Sequence, residues 1–301
     1  MTLNCTICPR NCNVDRNEKA SGYCRTKNGF FISSITVHHG EEPPISGSKG
    51  ICNVFFAHCN LQCIYCQNFQ ISDNKNPADK FELSFEETIN QIKKILDSGI
   101  NILGFVSPSH FVEQMIQIIK ELNQQKYFPT IVYNTNGYDK IETLQKLEKY
   151  VDIYLPDLKY SDSEIAKKYS GAKDYPQIAF EAIKEMHRQK DDLLYTNRDG
   201  YAESGMIIRH LVLPNHIENS LNILRFIANE ISQDIHVSLM SQYYPTANAF
   251  NFSEISRTLN QNEYKKVVAE MKKLNLNNGW IQELSSNDFY KPDFEKEKPF
   301  E

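Results

Sequence analysis

The chain has 301 residues and a mass of 34.9 kDa, enough to bury one large core, which predicts a barrel-sized domain with an appendage. Hydrophobic residues make up 41% and charged residues 24%, as in globular proteins, and neither a signal-peptide pattern nor a membrane-length apolar run is present. The net charge of −5 argues against general nucleic-acid affinity. We therefore expect a cytoplasmic protein without a membrane or nucleic-acid partner.

The eight cysteines are confined to the first part of the chain, between Cys5 and Cys66. Disulfides that stabilise a whole secreted fold would be spread along the sequence. Cysteines crowded at one end of a cytoplasmic chain more often bind metal. The distribution therefore predicts metal binding near the amino terminus.

Four of these cysteines lie within residues 1–28 and are Cys5, Cys8, Cys12 and Cys24. Four thiolates this close in sequence can close a tetrahedral site, and both zinc and iron–sulfur fit the pattern. Reduced thiols without metal are the alternative. The stretch is too short to bury its own core, so a metal would be its main source of order. We predict a cysteine-rich, metal-binding segment over residues 1–49.

A strand is predicted over residues 30–37, and a polar turn follows it. The turn carries His38, His39, Glu41 and Glu42 beside two prolines. These side chains are candidates for ligands or acid–base groups, and a solvated turn would explain them equally well. The residues alone leave both interpretations open.

Three further cysteines, Cys59, Cys63 and Cys66, lie in one loop and are separated by three and then two residues. The apolar run over residues 50–56 predicts a buried strand just before this loop. Thiolates select zinc and iron–sulfur clusters, but closed sites of both kinds take four protein ligands. A set of three leaves one metal position open for another molecule. A zinc knuckle or a loop of buried thiols is the alternative.

Beyond residue 80, helical and strand patterns alternate. A capping-box pattern at Ser84 opens the first helix, which ends near Gly99. Five more strands are predicted over residues 100–106, 130–133, 151–155, 206–213 and 236–240. Six more helices are predicted over residues 109–123, 140–149, 163–169, 176–190, 218–230 and 262–274.

Repeated strand–helix units with apolar strands indicate an α/β fold in which helices cover a parallel sheet. Polar, ligand-like residues at the carboxyl ends of the strands favour a partial (β/α)6 barrel of the TIM type over an open doubly wound sheet. We place this barrel over residues 50–285. Residues 286–301 are predicted to form a surface tail, with its phenylalanines docked.

The Cys-x3-Cys-x2-Cys loop, with Tyr65 before the last cysteine, resembles the signature of radical S-adenosylmethionine (SAM) enzymes. Residues 5–10, 39–43 and 66–68 extend the similarity to the pyruvate formate-lyase activating enzyme-related subgroup. The resemblance implies the same partial barrel, with the three loop cysteines on a [4Fe–4S] cluster and SAM on its fourth iron. It implies that the reduced cluster cleaves SAM to methionine and a 5′-deoxyadenosyl radical, with the Tyr65 ring near the adenine.

The resemblance also assigns residues that follow the later strands. Asn134 stands where activating enzymes often carry an acid beside a monovalent cation, and Asn136 belongs to the same loop. The resemblance implies that Asp157 contacts the cation or the methionine part of SAM and that Lys159 pairs with the SAM carboxylate. An exposed ion pair between Asp157 and Lys159 is the alternative. Residues 107–110 replace the Gly-Gly-Glu that many members use, and His110 there is either functional or a surface residue.

Arg209 lies in an otherwise apolar strand, a costly position for a charge unless it is paired. A bidentate contact with the methionine carboxylate of SAM would offset that cost. A structural pair with Asp157 would do so as well. The motif around Arg209 is similar to one in the activating enzymes, which favours the SAM contact.

These features predict a radical SAM oxidoreductase that abstracts hydrogen from its substrate, with activation of a glycyl radical protein as the favoured reaction. Radical chemistry on a small molecule or on another macromolecule is the enzymatic alternative. An iron–sulfur electron carrier or a zinc-binding module is the non-enzymatic alternative. The resemblance implies a low-potential electron donor of the flavodoxin or ferredoxin type.

Overall fold

The structure is a computed structural model that describes residues 4–288, 291–296 and 298–300. Residues 1–3 of the predicted cysteine-rich segment and residues 289, 290, 297 and 301 of the predicted tail lie outside the described residues. Within the described ranges, none of the helices has the length and apolar character needed to cross a bilayer.

The strands alternate with helices along most of the chain. The strands are β1 (Phe30–His38), β2 (Ile51–Phe56), β3 (Glu82–Leu83), β4 (Ile102–Val106), β5 (Thr130–Thr135), β6 (Ile153–Pro156), β7 (Tyr195–Thr196), β8 (Ala202–Leu211), β9 (His236–Met240) and β10 (Gly279–Ile281). The helices are α1 (Pro43–Ser46), α2 (Phe69–Ser72), α3 (Phe85–Leu96), α4 (Val112–Gln124), α5 (Ile141–Leu147), α6 (Ser163–Ser170), α7 (Tyr175–Lys190), α8 (Ile217–Phe226) and α9 (Gln261–Lys273).

Local sequence accounts for where several helices begin. The Ser84 side chain accepts a hydrogen bond of 3.1 Å from the backbone N–H of Glu87 and so caps α3. At α9, Asn260 and Glu263 form a reciprocal capping box. The helix predicted over residues 218–230 ends differently, because α8 passes into one π-helical turn over Ile227–Ile231.

The strands form one sheet in the order β10-β9-β8-β6-β5-β4-β2-β1-β3, with β7 paired to β8. The pairings from β2 through β10 along this order are all parallel. Strand β1 is antiparallel to β2, and β3 is antiparallel to β1. The six predicted parallel strands are therefore confirmed, and β10 adds a seventh at the edge.

A bridge across the interior shows that this sheet is curved into a partial barrel. Asn53 on β2 donates a hydrogen bond of 2.8 Å to the Glu41 carboxylate, and Arg209 on β8 binds the same carboxylate. Strands β4, β5 and β6 lie between β2 and β8 in the sheet order. In a flat sheet the two strands would be about 19 Å apart, too far for one carboxylate to join them.

Among the described residues, apolar side chains fill the amino-terminal end of the barrel interior. The cluster that fills it comprises Ile45 of α1 together with Ile51, Ile102, Val132, Ile153, Leu155, Ala202 and Ile207 of the strands. Parallel strands direct their carboxyl ends, and the loops that follow, to one rim. That rim is where the predicted site residues meet.

Candidate functional site

A cavity of about 810 Å³ occupies the carboxyl-terminal mouth of the barrel. Its wall includes the three cysteines of the loop after β2 and the residues predicted to bind SAM, which are Cys59, Cys63, Cys66, Tyr65, Asn134, Asn136, Asp157, Lys159 and Arg209. Residues up to 150 positions apart in sequence therefore face one space. A cavity of this size, with convergent polar groups, has the character of a binding site for a small molecule or cofactor.

The cysteine loop is held by side chains and by two left-handed turns. His58 and Gln62 have φ values of +64° and +61°. The Asn74 amide oxygen accepts hydrogen bonds from the Cys59 backbone N–H at 3.0 Å and from the Gln62 side chain at 2.8 Å. Non-glycine residues adopt such φ values only where the surroundings stabilise them. The loop conformation is therefore determined by its tertiary contacts.

Each of the three cysteine sulfurs accepts a hydrogen bond from a neighbouring residue. Asn136 Nδ2 lies 3.3 Å from the Cys59 sulfur, the Ser170 hydroxyl lies 3.0 Å from that of Cys63, and the Ser72 hydroxyl lies 3.2 Å from that of Cys66. Donors of this kind stabilise thiolates and tune the potential of a bound cluster. Cys59, Cys63 and Cys66 fit the ligand set of a [4Fe–4S] cluster with one open iron position.

Burial makes Cys63 and Cys66 poor acids on their own. It raises the pKa of the Cys63 thiol to about 12 and raises the pKa of the Cys66 thiol as well, in both cases as the largest effect. A bound metal is the strong positive charge that would favour the thiolate form. The loop is therefore suited to metal ligation rather than to acid–base work by a free thiol.

Tyr65 stands in an aromatic wall beside the cysteine loop. Its ring makes edge contacts with Tyr243 at a centroid distance of 5.9 Å and with Tyr160 and Tyr169 at 6.4 Å. Only 5% of Tyr65 is exposed. The residue is thus a fixed part of the cavity wall, where an aromatic face can pack against a planar group.

The two predicted asparagines have different surroundings. Asn134 is the fifth residue of β5, one position beyond the predicted strand end, and lines the cavity half-buried. Asn136 is buried and also donates a hydrogen bond of 2.8 Å to Asn60 in the cysteine loop. Asn136 therefore joins the end of β5 to the cysteine loop, a role that the sequence analysis missed.

Asp157 and Lys159 follow β6 and form an ion pair with a distance of 2.6 Å between Nζ and Oδ2. The side chains are 24% and 16% exposed, so the exposed-pair alternative does not describe them. Burial lowers the pKa of Lys159, but Asp157 and other neighbouring groups outweigh this and raise it well above its usual value. Both charges face the cavity and are suited to bind a charged ligand group.

Arg209 is paired with Glu41 and Glu42, and not through its side chain with Asp157. Its Nε donates to Glu42 Oε1 at 2.8 Å, and its Nη2 contacts both carboxylates. The three side chains are only 10%, 8% and 6% exposed. Asp157 meets Arg209 through a backbone bridge between β6 and β8. Glu41 and Glu42 are therefore structural partners inside the barrel, so a solvated turn does not describe these two residues, whereas His39 is exposed.

Two histidines named in the sequence analysis are less exposed than a surface role requires. His110 is 1% exposed, which excludes the surface alternative, and its Nε2 lies 3.0 Å from the Ala57 carbonyl oxygen. Burial lowers its pKa to about 3. His38 lies at the cavity, where its ring meets that of Phe300 at 4.1 Å.

The four cysteines of the amino-terminal segment lie together, away from the large cavity. Cys5, Cys8, Cys12 and Cys24 line a small space of about 10 Å³. All four are free thiols. Across the described ranges, no three His, Cys, Asp or Glu side chains are arranged at the distances of ligands to a single metal ion.

The carboxyl-terminal tail lies at the mouth of the large cavity. Phe294 and Phe300 pack on Phe55 of β2 at ring centroid distances of 5.2 and 5.6 Å, which confirms the docked phenylalanines. The Gln70 side chain donates to Asp293 and accepts from the Phe294 backbone N–H. Lys291, Pro292, Lys298 and Phe300 contribute to the cavity wall.

Fold and site together define a partial (β/α)6 barrel with a three-cysteine centre at the carboxyl ends of its strands. The profile of the Radical SAM superfamily matches residues 53–201. An uncharacterized protein of Methanocaldococcus jannaschii is 31% identical over 280 residues, which cover 91% of this chain and 75% of that protein. The chain belongs to the radical SAM superfamily. Membership implies radical chemistry with a [4Fe–4S] cluster and SAM.

Two solved structures share the fold. The [FeFe]-hydrogenase maturase HydG has a TM-score of 0.53 at 14% identity, covering 82% of this chain and 56% of HydG. HydG from Carboxydothermus hydrogenoformans has a TM-score of 0.51 at 16% identity, covering 82% of this chain and 57% of the maturase. At these identities the likeness concerns the fold alone. The chain spans little more than half of either maturase.

Proposed function

We propose that the protein reductively cleaves SAM at a [4Fe–4S] cluster bound by Cys59, Cys63 and Cys66, and that the resulting radical abstracts hydrogen from a substrate. The observation that carries this proposal is that three hydrogen-bonded cysteine sulfurs and the polar ends of neighbouring strands line one cavity. When bound, the cluster supplies the electron that cleaves SAM. The protein's own residues would hold both groups.

The roles proposed for SAM binding follow from position and charge. Lys159 is a cation available to a carboxylate, and its pair Asp157 suits the amino group or a monovalent cation. Tyr65 offers an aromatic face. Asn134 offers an amide oxygen, and Asn136 positions Cys59. Arg209 can reach a SAM carboxylate while its Nε and Nη2 stay with Glu41 and Glu42.

For the substrate, we favour a protein that receives a glycyl radical, since the sequence resembles activating enzymes and has no cysteine after Cys66. A low-potential flavodoxin or ferredoxin would supply the electron. The small-molecule alternative is favoured by one observation, which is that Lys298 and Phe300 of the tail line the mouth and a protein loop would have to displace them. These hypotheses differ in whether the tail must move before catalysis.

The test is an anaerobic assay for 5′-deoxyadenosine with reconstituted, dithionite-reduced protein and SAM. We expect product from the wild type and from Cys52→Ala, because Cys52 is a buried thiol of β2 outside both cysteine sets. We expect none from Cys63→Ala, which should also lose most of the loop's iron. Cleavage retained in Cys63→Ala would contradict the site assignment. A reducible cluster in the wild type without cleavage or a SAM-induced spectral change would favour an electron carrier.

A further inference from the structure

Three glutamine side chains form one hydrogen-bonded chain along the wall of the large cavity. Gln67 follows Cys66, Gln242 follows β9 and Gln282 follows β10, and all three are half-buried. Gln282 Nε2 donates to Gln242 Oε1 at 2.8 Å, and Gln242 Nε2 donates to Gln67 Oε1 at 3.0 Å. The chain of amides therefore connects the ends of two edge strands to the cysteine loop.

Backbone groups at both ends fix the direction of this chain. The Ser241 N–H donates to Gln282 Oε1 at 3.0 Å, and Gln67 Nε2 donates to the Gln242 carbonyl oxygen at 3.1 Å. A backbone N–H can only donate and a carbonyl oxygen can only accept, so no amide in the chain can be reversed without losing a bond. Each Nε2 uses one of its two hydrogens in this chain, and each Oε1 uses one of its two lone pairs. The second hydrogen and the second lone pair of each amide are suited to a ligand in the cavity.

The chemistry of the chain favours an uncharged ligand group. Three linked amides supply donors and acceptors side by side but add no charge. A charged ligand group has other partners in the cavity, since Lys159 and Arg209 lie on its wall. A buried amide group of a ligand, by contrast, is costly unless both its N–H and its carbonyl oxygen are paired. The chain meets that requirement.

A fourth glutamine at the same mouth already binds a polypeptide segment. Gln70 of α2 lies three positions after Gln67. Its Oε1 accepts a hydrogen bond of 2.8 Å from the Phe294 backbone N–H, and its Nε2 donates to the Asp293 side chain at 3.0 Å. Main-chain hydrogen bonds of this kind are a common source of affinity in peptide recognition. The tail of the chain thus provides an internal example of a main chain held by a glutamine side chain.

We propose that Gln67, Gln242 and Gln282 form a subsite for peptide groups, and that the substrate is a polypeptide segment bound there through its main chain. This inference deepens the proposed function and rests on it for the reaction that follows binding, whereas binding itself does not depend on it. Because Gln67 adjoins Cys66, a segment on this subsite would lie beside the proposed cluster. A small molecule with one carboxamide shares the chemistry but would use only part of the chain.

The experiment measures dissociation constants by saturation-transfer NMR on the anaerobically purified full-length protein. The probes are acetamide with one amide group, N-acetylglycylglycinamide with three, and acetate as an anion. We expect the three-amide probe to bind roughly 10-fold more tightly than acetamide, because each added hydrogen bond contributes about 0.5–1.5 kcal/mol. Equal binding of the two amides would assign the subsite to a small carboxamide and overturn the proposal, and so would the absence of binding by both.

Variants locate the binding at the glutamines. Gln242→Leu removes the middle amide while keeping the size of the side chain, and it should weaken binding of the three-amide probe roughly 10-fold. Gln117→Leu, at an exposed position of α4, should bind like the wild type. Unchanged affinity in Gln242→Leu would overturn the proposal, and so would an equal loss of acetate binding, which would indicate an anion subsite. If Gln242→Leu does not fold, Gln282→Leu decides in the same way.

The proposed function is tested separately by 5′-deoxyadenosine formation in the wild type. Its absence alongside glutamine-dependent binding of the three-amide probe would contradict SAM cleavage and leave the peptide subsite intact. Cleavage without such binding would overturn the subsite alone.

Discussion

Replacing Arg209 by methionine tests the buried charge cluster inside the barrel. The change would leave two carboxylates, Glu41 and Glu42, buried without their cation. Breaking a buried ion pair in this way costs about 3–5 kcal/mol, because the remaining charge has lost both water and partner. For a chain of 301 residues, an unfolding entropy of about 2.1 cal/mol/K per residue converts this loss into a melting temperature lower by about 5–8 °C.

The assay is differential scanning calorimetry at neutral pH, with Arg225→Met as the matched control. Arg225 also binds two glutamates, Glu218 and Glu270, but its side chain is 41% exposed. Solvent screens such surface pairs, so the control should melt close to the wild type. A melting temperature of Arg209→Met equal to that of the control would refute the reasoning.

The same variant should change the response to acid. Burial raises the pKa of Glu41, but Arg209, His38 and Asn53 outweigh this effect and hold the pKa at about 2. A carboxyl group with a lowered pKa stabilises the fold above its unfolded value of 4.5, and that contribution is lost as the pH falls from 4.5 toward 2. The free energy of unfolding of the wild type should fall across this pH range, and that of Arg209→Met should fall by less.

Three further predictions address other residues. Arg209→Lys should weaken SAM binding roughly 10-fold in equilibrium dialysis while iron content stays constant, because a single ammonium cannot hold Glu41 and Glu42 and contact the SAM carboxylate at the same time; unchanged affinity would leave Arg209 with a purely structural role. Burial lowers the pKa of His210 to about 4 from 6.5, so between pH 6.5 and 4 the unfolded chain binds the extra proton and stability falls by about 3 kcal/mol. In denaturant unfolding, the free energy of unfolding should depend less on pH in His210→Gln than in the wild type, and an equal dependence in the two proteins would contradict this account. Gly137→Ala should destabilise by about 2 kcal/mol more than Gly200→Ala, since both glycines have positive φ but only at Gly137 would the new Cβ lie 2.5 Å from a carbonyl oxygen, that of Asp157. Equal melting temperatures of the two glycine variants would show that φ strain alone matters.

Much of the fold was predictable because its signals are local. Strand β9 occupies residues 236–240 as predicted, and Ser84 caps α3. Apolar strands alternating with amphipathic helices specify a parallel sheet, whose carboxyl ends necessarily share one rim. Strand ends were less accurate. Strand β5 continues to Thr135, because its pairing with β6, and not its own composition, determines its length.

The sequence by itself determined the class of site. Short stretches of sequence carry the signal. One has three cysteines in a loop after a buried strand, and another has Asp157 and Lys159 after a later strand. Each stretch indicates a binding site without reference to distant residues. The likeness to a known family also resided in these stretches. Their approximate positions at the barrel mouth followed from chain order alone.

Only the tertiary structure decided which groups pair with these residues. Arg209 meets Glu42 across 167 positions, and Cys63 meets Ser170 across 107. Such partners depend on how far the sheet curves and on which side chains its closure brings together. No local sequence pattern encodes which distant side chains become neighbours. The same closure places Arg10 against the loop that carries the three cysteines, where it contacts the carbonyl oxygens of Asn60 and Leu61.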